Sequence, residues 1–164
     1  MKKTDVLVIG GSAAGMVVSL TGKSAYPEKS FTMIKKQKDV MVPCGIPYIF
    51  GTLDSSQLNL MPVDNMMEKA GVTSRVGEVV SVDTKAKNVK LADGETIEYQ
   101  KLVLATGSIP VLPGWLKGGD KKNVFTVPKD RIYLDEMKED LAGCRRVVVI
   151  GAGFIGVEFS DEFA

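Results

Sequence analysis

Histidine is absent from this chain of 164 residues, and cysteine occurs only as Cys44 and Cys144. Without imidazole there is no Ser-His-Asp or Cys-His catalysis and no histidine-based metal site within the sequence. The two cysteines stand far apart, and neither has a partner at CxxC spacing. That excludes a zinc knuckle, a dithiol motif and a disulfide-stapled secreted scaffold. Long apolar runs are also missing; none approaches the roughly 18 residues a membrane span needs. An excess of one charge is lacking too, since 21 Lys and Arg against 20 Asp and Glu leave a net +1. No global field draws such a protein to nucleic acid or to an anionic membrane, so neither is an expected partner. The amino terminus, Met1 to Gly10, has a short apolar stretch that runs directly into a glycine motif, unlike a secretory leader. A cytoplasmic protein is expected.

What is present describes an α/β protein with one substantial core, 45% hydrophobic and 25% charged. Asp5 to Ile9 is a short apolar run closed by glycines, the pattern of a buried parallel strand. A helix is predicted from about Ala13 to Thr21 and a second strand from Phe31 to Ile34, giving βαβ order and a doubly wound sheet. Pro43 and Pro47 bracket a turn into a short helix carrying Cys44, and Val63 to Ala70 reads as another helix closed by Gly71. From Val72 to Glu98 the alternation, with an Asp93-Gly94 turn, predicts an antiparallel meander. Lys101 to Ala105 is a further strand. Pro110, Pro113, Gly114, Gly118 and Gly119 mark a linker. Arg131 to Leu141 has helical amphipathicity, and Arg146 to Ile150 is a strand entering a second glycine motif.

That repetition carries the chemistry. The first motif is Val-Ile-Gly10-Gly11-Ser12-Ala13-Ala14-Gly15. A pyrophosphate sits on the positive end of a helix, cradled by backbone amides; the first glycine makes the tight turn and the last lets helix and strand approach. Ser12 fills the middle slot, small enough for phosphate approach. The second is a complete Gly151-Ala152-Gly153-Phe154-Ile155-Gly156-Val157-Glu158 after an apolar run. The residue reading the ribose 2′ position would lie about 20 residues beyond it, so the sequence does not separate NAD from NADP. A third segment, Leu102 to Pro110, ends a strand in Ala105-Thr106-Gly107. It is either a generic strand exit or the carboxyl-end turn where open α/β sheets bind ligands. Cys44 lies in Val42-Pro43-Cys44-Gly45-Ile46-Pro47-Tyr48. A cysteine in the first turn of a helix offers a thiolate to that end; the alternative is a buried structural thiol. Cys144 reads as structural.

Taken in order, the three segments and Cys44 resemble the pyridine nucleotide-disulfide oxidoreductase superfamily, and within it the single-cysteine branch of CoA-disulfide reductases and NADH oxidases. The resemblance covers essentially the whole chain. It implies a Rossmann-like FAD-binding segment over residues 1–115. Residues 116–164 would be a linker and the opening βα unit of an inserted NAD(P)-binding domain, so the chain is expected to be a fragment whose parent is a homodimer. It assigns Gly10, Gly11, Ser12, Ala13, Ala14 and Gly15 to the FAD pyrophosphate, Val79 and Val80 to the adenine, and Ala105, Thr106 and Gly107 to a second FAD contact. Gly151, Gly153, Ile155, Gly156 and Glu158 would meet NAD(P)H, and Cys44 would be the redox centre. The family's acidic residue at the end of the second strand is replaced by Lys35, followed by Lys36; these would contact the cofactor as donors or form a solvated turn. Ala13 stands where the peroxidases have histidine, and Ile49 where the dithiol branch has its second cysteine. The implied activity is NAD(P)H-dependent, FAD-mediated reduction of a small disulfide, persulfide or oxygen through Cys44. The rival readings are a flavoprotein reductase of a small electron-carrier protein and an inactive dinucleotide-binding fragment.

Overall fold

A computed structural model describes residues 2–164. The chain forms two compact units, one comprising the chain up to Val40 with Met61–Gly107, the other Met41–Leu60 with Ser108–Ala164.

The first unit holds a six-stranded sheet, order β3-β2-β1-β6-β5-β4. Its elements are β1 (Lys2–Ile9), α1 (Ala13–Ala25), β2 (Phe31–Lys35), α2 (Val63–Lys69), β3 (Thr73–Val76), β4 (Val79–Asp83), β5 (Asn88–Leu91) and β6 (Thr96–Leu104). β1 lies parallel to both neighbours, with Ile9 opposite Ile34 of β2 and Leu104 of β6. Side chains alternate as the pleat requires. Val8, Phe31 and Met33 face Val63 and Met67 of α2 with Met16 and Leu20 of α1. Leu7 and Ile34 point the other way, into a cluster with Val89, Leu91, Ile97 and Tyr99.

That second cluster exists because the sheet curls. β3 and β4 are opposite edges, yet only Gly77 and Glu78 separate them. A flat sheet would put those edges roughly 24 Å apart, while three residue steps reach about 11 Å. The antiparallel half therefore folds over β1 and β2. Arg75 of β3 accordingly pairs with Asp93 at 2.7 Å and with Glu95, both from the β5–β6 turn.

Two expectations in this unit are corrected. The meander does not begin at Val72: Thr73–Val76 runs parallel to β2, Thr32 opposite Thr73, because α2 makes a crossover that returns the chain in the same direction. Lys101 to Ala105 is not a separate strand either. Thr96–Leu104 is continuous, pairing with β5 antiparallel at its start and with β1 parallel along its length. Tyr99, buried at its centre, holds the polar Glu98–Lys101 stretch in the sheet.

The second unit has a core of Met41, Ile46, Ile49, Leu134, Met137 and Phe159. Its helices are α3 (Arg131–Leu141) and α4 (Phe154–Glu162). The Asp130 carboxylate caps α3, accepting from the amides of Ile132 and Tyr133. Lys138 of α3 donates to the carbonyls of Ile49 and Leu53. Phe159 and Phe163 close on Phe50, ring centroids 5.0 and 5.7 Å away, and Glu162 accepts from the amide and hydroxyl of Thr52. The expected strand at Arg146 to Ile150 makes no sheet pairing among the described residues, and Val148 is 83% exposed. Its β-branched composition favours extension, but a strand is completed only by a neighbour's hydrogen bonds, and the described residues put none beside it.

Candidate dinucleotide loops and an exposed thiol

The first glycine motif forms the turn from β1 into α1, at the carboxyl end of the parallel strands. Gly10 has φ +119°, a conformation side chains rarely adopt. Its missing Cβ is also what admits the carbonyl of Ala105, the residue that follows β6. Gly15 sits in the first turn of α1, where a Cβ would collide with the Gly10 carbonyl. Strand end and helix start thus touch backbone to backbone, and Ser19 reinforces this by donating to the Gly15 carbonyl at 2.7 Å. Ser12 is the N-cap of α1 but its side chain caps nothing, and no acidic residue lies in the first turn. The first amides of a helix lack intrahelical acceptors; at this end no carboxylate competes with an incoming phosphate.

The residues expected around this loop gather at the same end of the sheet. Gly10 donates to the Ile34 carbonyl at 2.8 Å, and Gly11 packs against the Lys35 side chain. Ala105 bonds the Ile9 carbonyl, and Thr106 and Gly107 continue outward from it, exposed. Val79 and Val80 open β4 directly after Glu78. Lys35 and Lys36 behave differently from each other. The Lys35 side chain is 3% exposed, and its ammonium donates to Asp64 of α2 at 2.9 Å and to the Lys38 carbonyl at 2.6 Å. Asp64 also accepts from the Ser74 hydroxyl; that bond first, then Lys35, holds its carboxyl below the ordinary carboxylate value. Lys36 is solvent-facing and pairs with Glu78 at 2.8 Å. Asp64 was not singled out from sequence, since nothing local links it to Lys35, 29 positions away; Glu78 belongs to the stretch that the resemblance sets against the adenine, but its pairing with Lys36, 42 positions away, has no local signal either.

In the second unit the Gly151–Gly156 loop reproduces the first. Gly151 has φ +123°, a Cβ on Gly156 would collide with the Gly151 carbonyl, and Ser160 donates to the Gly156 carbonyl at 2.7 Å. Gly153 is the N-cap of α4; Ile155 is exposed and Glu158 half-buried on that helix. This geometry forms although residues 146–150 have no strand partner, so the loop is encoded locally.

Cys44 is an exposed free thiol. The short helix expected there is a 3₁₀ turn, Pro43–Gly45, with a second, Pro47–Phe50, behind it. Pro47 has no amide hydrogen to continue a ladder and takes the N1 place of the next turn. Below the thiol, Asn59 is 5% exposed, donates to the Val42 carbonyl at 3.1 Å, and occupies the space a side chain at Gly45 would need. The turn bearing the sulfur is thereby fixed from beneath. Cys144 is also exposed, its thiol 3.8 Å from the Asp140 carbonyl, so the buried structural role expected for it does not hold.

A glycine turn into a helix N-terminus that occurs twice in the sequence, once before and once after a residue with an exposed thiol, describes a dinucleotide-binding oxidoreductase. Residues 4–164 match the pyridine nucleotide-disulphide oxidoreductase family, and the chain belongs to it. Enzymes of this family use FAD and NAD(P)H. The chain is 36% identical over 169 residues to an NAD(P)H sulfur oxidoreductase (CoA-dependent) of Pyrococcus abyssi, covering 99% of this chain and 37% of that protein. It is 33% identical over 165 residues to an NADH oxidase of Methanocaldococcus jannaschii, covering 94% and 36%. Among solved structures, reduced CoADR-RHD of Bacillus anthracis superposes with a TM-score of 0.84 at 27% identity, over 99% of this chain and 31% of that one. The chain thus spans about 37% of the length of such curated relatives. Among the described residues no helix is long and apolar enough to cross a membrane.

Proposed function

We propose that the protein is a cytoplasmic FAD-dependent NAD(P)H oxidoreductase that reduces a low-molecular-weight disulfide or persulfide through the single thiol of Cys44. Oxygen is the alternative acceptor. The observation that carries this reading is the duplicated cradle: in each loop a helix glycine, Gly15 or Gly156, lets the helix start pack directly on the carbonyl of the positive-φ glycine before it, Gly10 or Gly151, which sets the free amides of a helix N-terminus at the loop. The first cradle, with Ala105–Gly107 and the start of β4, would hold FAD; the second, with Glu158, would hold NAD(P)H. Bound FAD supplies two-electron chemistry that accepts hydride from the nicotinamide. Residues 1–115 then serve as the FAD segment and 116–164 as the opening of the NAD(P) domain, within a homodimeric parent.

Cys44 supplies the sulfur chemistry. Its thiolate attacks one sulfur of the acceptor disulfide, forming a mixed disulfide and expelling the other half as a thiolate. Two electrons, originating in NAD(P)H, and protons from water then cleave the mixed disulfide, regenerating Cys44 and releasing the second thiol. Asn59 beneath Gly45 keeps the turn from yielding as the adduct forms. Similarity to a CoA-dependent sulfur oxidoreductase supports a CoA-type acceptor.

Two measurements test this. Titration with FAD should quench flavin fluorescence, and Gly15→Val should abolish the quench, because its side chain collides with the Gly10 carbonyl and pushes the start of α1 off the loop. Incubation of the Cys144→Ser protein with CoA disulfide should leave a CoA adduct on Cys44 by mass spectrometry. NADH-dependent turnover of CoA disulfide that survives Cys44→Ser would overturn the thiol mechanism and favour electron delivery to a carrier protein.

A further inference from the structure

In dinucleotide-binding Rossmann units an acidic side chain about 20 residues past the loop, at the end of the second strand, accepts a hydrogen bond from the adenosine ribose. Here that position is Lys35, whose buried ammonium is committed to Asp64 and to the Lys38 carbonyl. Residue 35 therefore offers no carboxylate, and its ammonium is buried against Asp64 rather than turned to solvent.

We infer that the ribose acceptor is supplied from elsewhere in the same unit, at the carboxyl end of β2, by Glu78, steered by Lys36. Three observations carry this. The Gly77 amide donates to the Lys35 carbonyl at 2.9 Å, so residue 78 lies just beyond the carboxyl end of β2, on the side of the sheet that carries Gly10–Gly15. The Glu78 carbonyl accepts from Ala92 at 2.9 Å, so the backbone at 78 is anchored on both sides. Lys36 takes the Oε1 oxygen of Glu78 at 2.8 Å, and with the side chain 51% exposed the other oxygen is open to a ligand hydroxyl. The polarity of the ordinary arrangement is thus exchanged. A cation fills the interior position, and the carboxylate comes from the neighbouring crossover into β4.

This rests on the reading that the first loop binds the ADP half of FAD, and the test separates the two. Binding of ADP, 2′-deoxy-ADP and 3′-deoxy-ADP to the chain is measured by calorimetry for the wild type, Glu78→Ala and Lys35→Met. The wild type should lose roughly tenfold or more in affinity on removal of one of the two hydroxyls, as for a hydrogen bond to a charged acceptor. Glu78→Ala should bind ADP about that much more weakly and no longer distinguish it from the deoxy probes. Lys35→Met should lower the unfolding midpoint yet keep the discrimination. Equal weakening of ADP and both deoxy probes by Glu78→Ala, or discrimination retained in that variant, overturns the assignment of Glu78 alone. Failure of the wild type to bind either ADP or FAD overturns the reading of the first loop, and this inference with it.

Discussion

Replacing Gly15 by alanine adds one methyl group to the first turn of α1, and the structure sets its consequence. The new Cβ would collide with the Gly10 carbonyl oxygen and lie 2.8 Å from its carbon. Both are backbone atoms, fixed by the Gly10 bond to Ile34 and by β6 behind them, so no rotamer change relieves the contact. Overpacking of this kind costs about 1–3 kcal/mol, whereas alanine recovers about 1 kcal/mol of helix propensity over glycine. Because the obstacle is backbone on both sides, the upper end of the cost applies. The expected net loss is about 2 kcal/mol, a fall in Tm of about 4–8 °C for a chain of this size. Thermal and urea unfolding followed by circular dichroism read it directly. Gly156→Ala meets the same collision with Gly151, but among the described residues no strand pairing holds the segment ahead of that loop, so its loss should be smaller. A Gly15→Ala protein within about 0.5 kcal/mol of the wild type, the range of an ordinary surface substitution, would refute the claim that strand and helix meet backbone to backbone.

Other outcomes follow from particular contacts. Asp64→Asn should destabilise the protein by about 1 kcal/mol in urea at neutral pH: it weakens a charge-assisted bond to a buried ammonium, and the solvent around the half-exposed carboxylate keeps the loss below that of a fully buried pair. The Asp64 pKa is depressed on folding from an ordinary 3.8, so its contribution is complete above that value and is lost as pH falls from there through the lower folded-state value; the gap between wild type and variant should close over that interval. Asp130→Ala removes the acceptor for the first amides of α3 and should cost about 1 kcal/mol in urea unfolding. Ellman's reagent should titrate two thiols in the native protein and one in Cys44→Ser, because both cysteines are exposed and free; one slow thiol in the native wild type would contradict that.

The parts legible in the sequence are those specified over a few residues. The turn into α1 needs only its glycines, which is why its copy at Gly151 forms without a sheet beside it. α3 has the bounds expected because an apolar stripe and the Asp130 cap lie within it. What escaped depends on distant partners. Thr73–Val76 is too short for periodicity to reveal its direction, which is set by the crossover through α2. The continuity of β6 rests on Tyr99 packing against residues far along the chain, while its local sequence, Glu98-Tyr99-Gln100-Lys101, reads as a break. Lys35 looked like a surface lysine because Asp64, which makes its burial tolerable, is 29 positions away.

The position of β6 beside β1 also bears on how the first unit assembles. β1 can pair early with β2, Val6 against Phe31, but its other side waits for β6, which sets Lys2 against Ile97 and Ile9 against Leu104. Closing so long a loop is entropically slow, and parallel pairings of high sequence separation delay folding. Until residues 97–104 arrive, the central strand presents an open row of amides and carbonyls flanked by Leu7 and Val8. During synthesis or refolding, that strand is where pairing with another chain would begin.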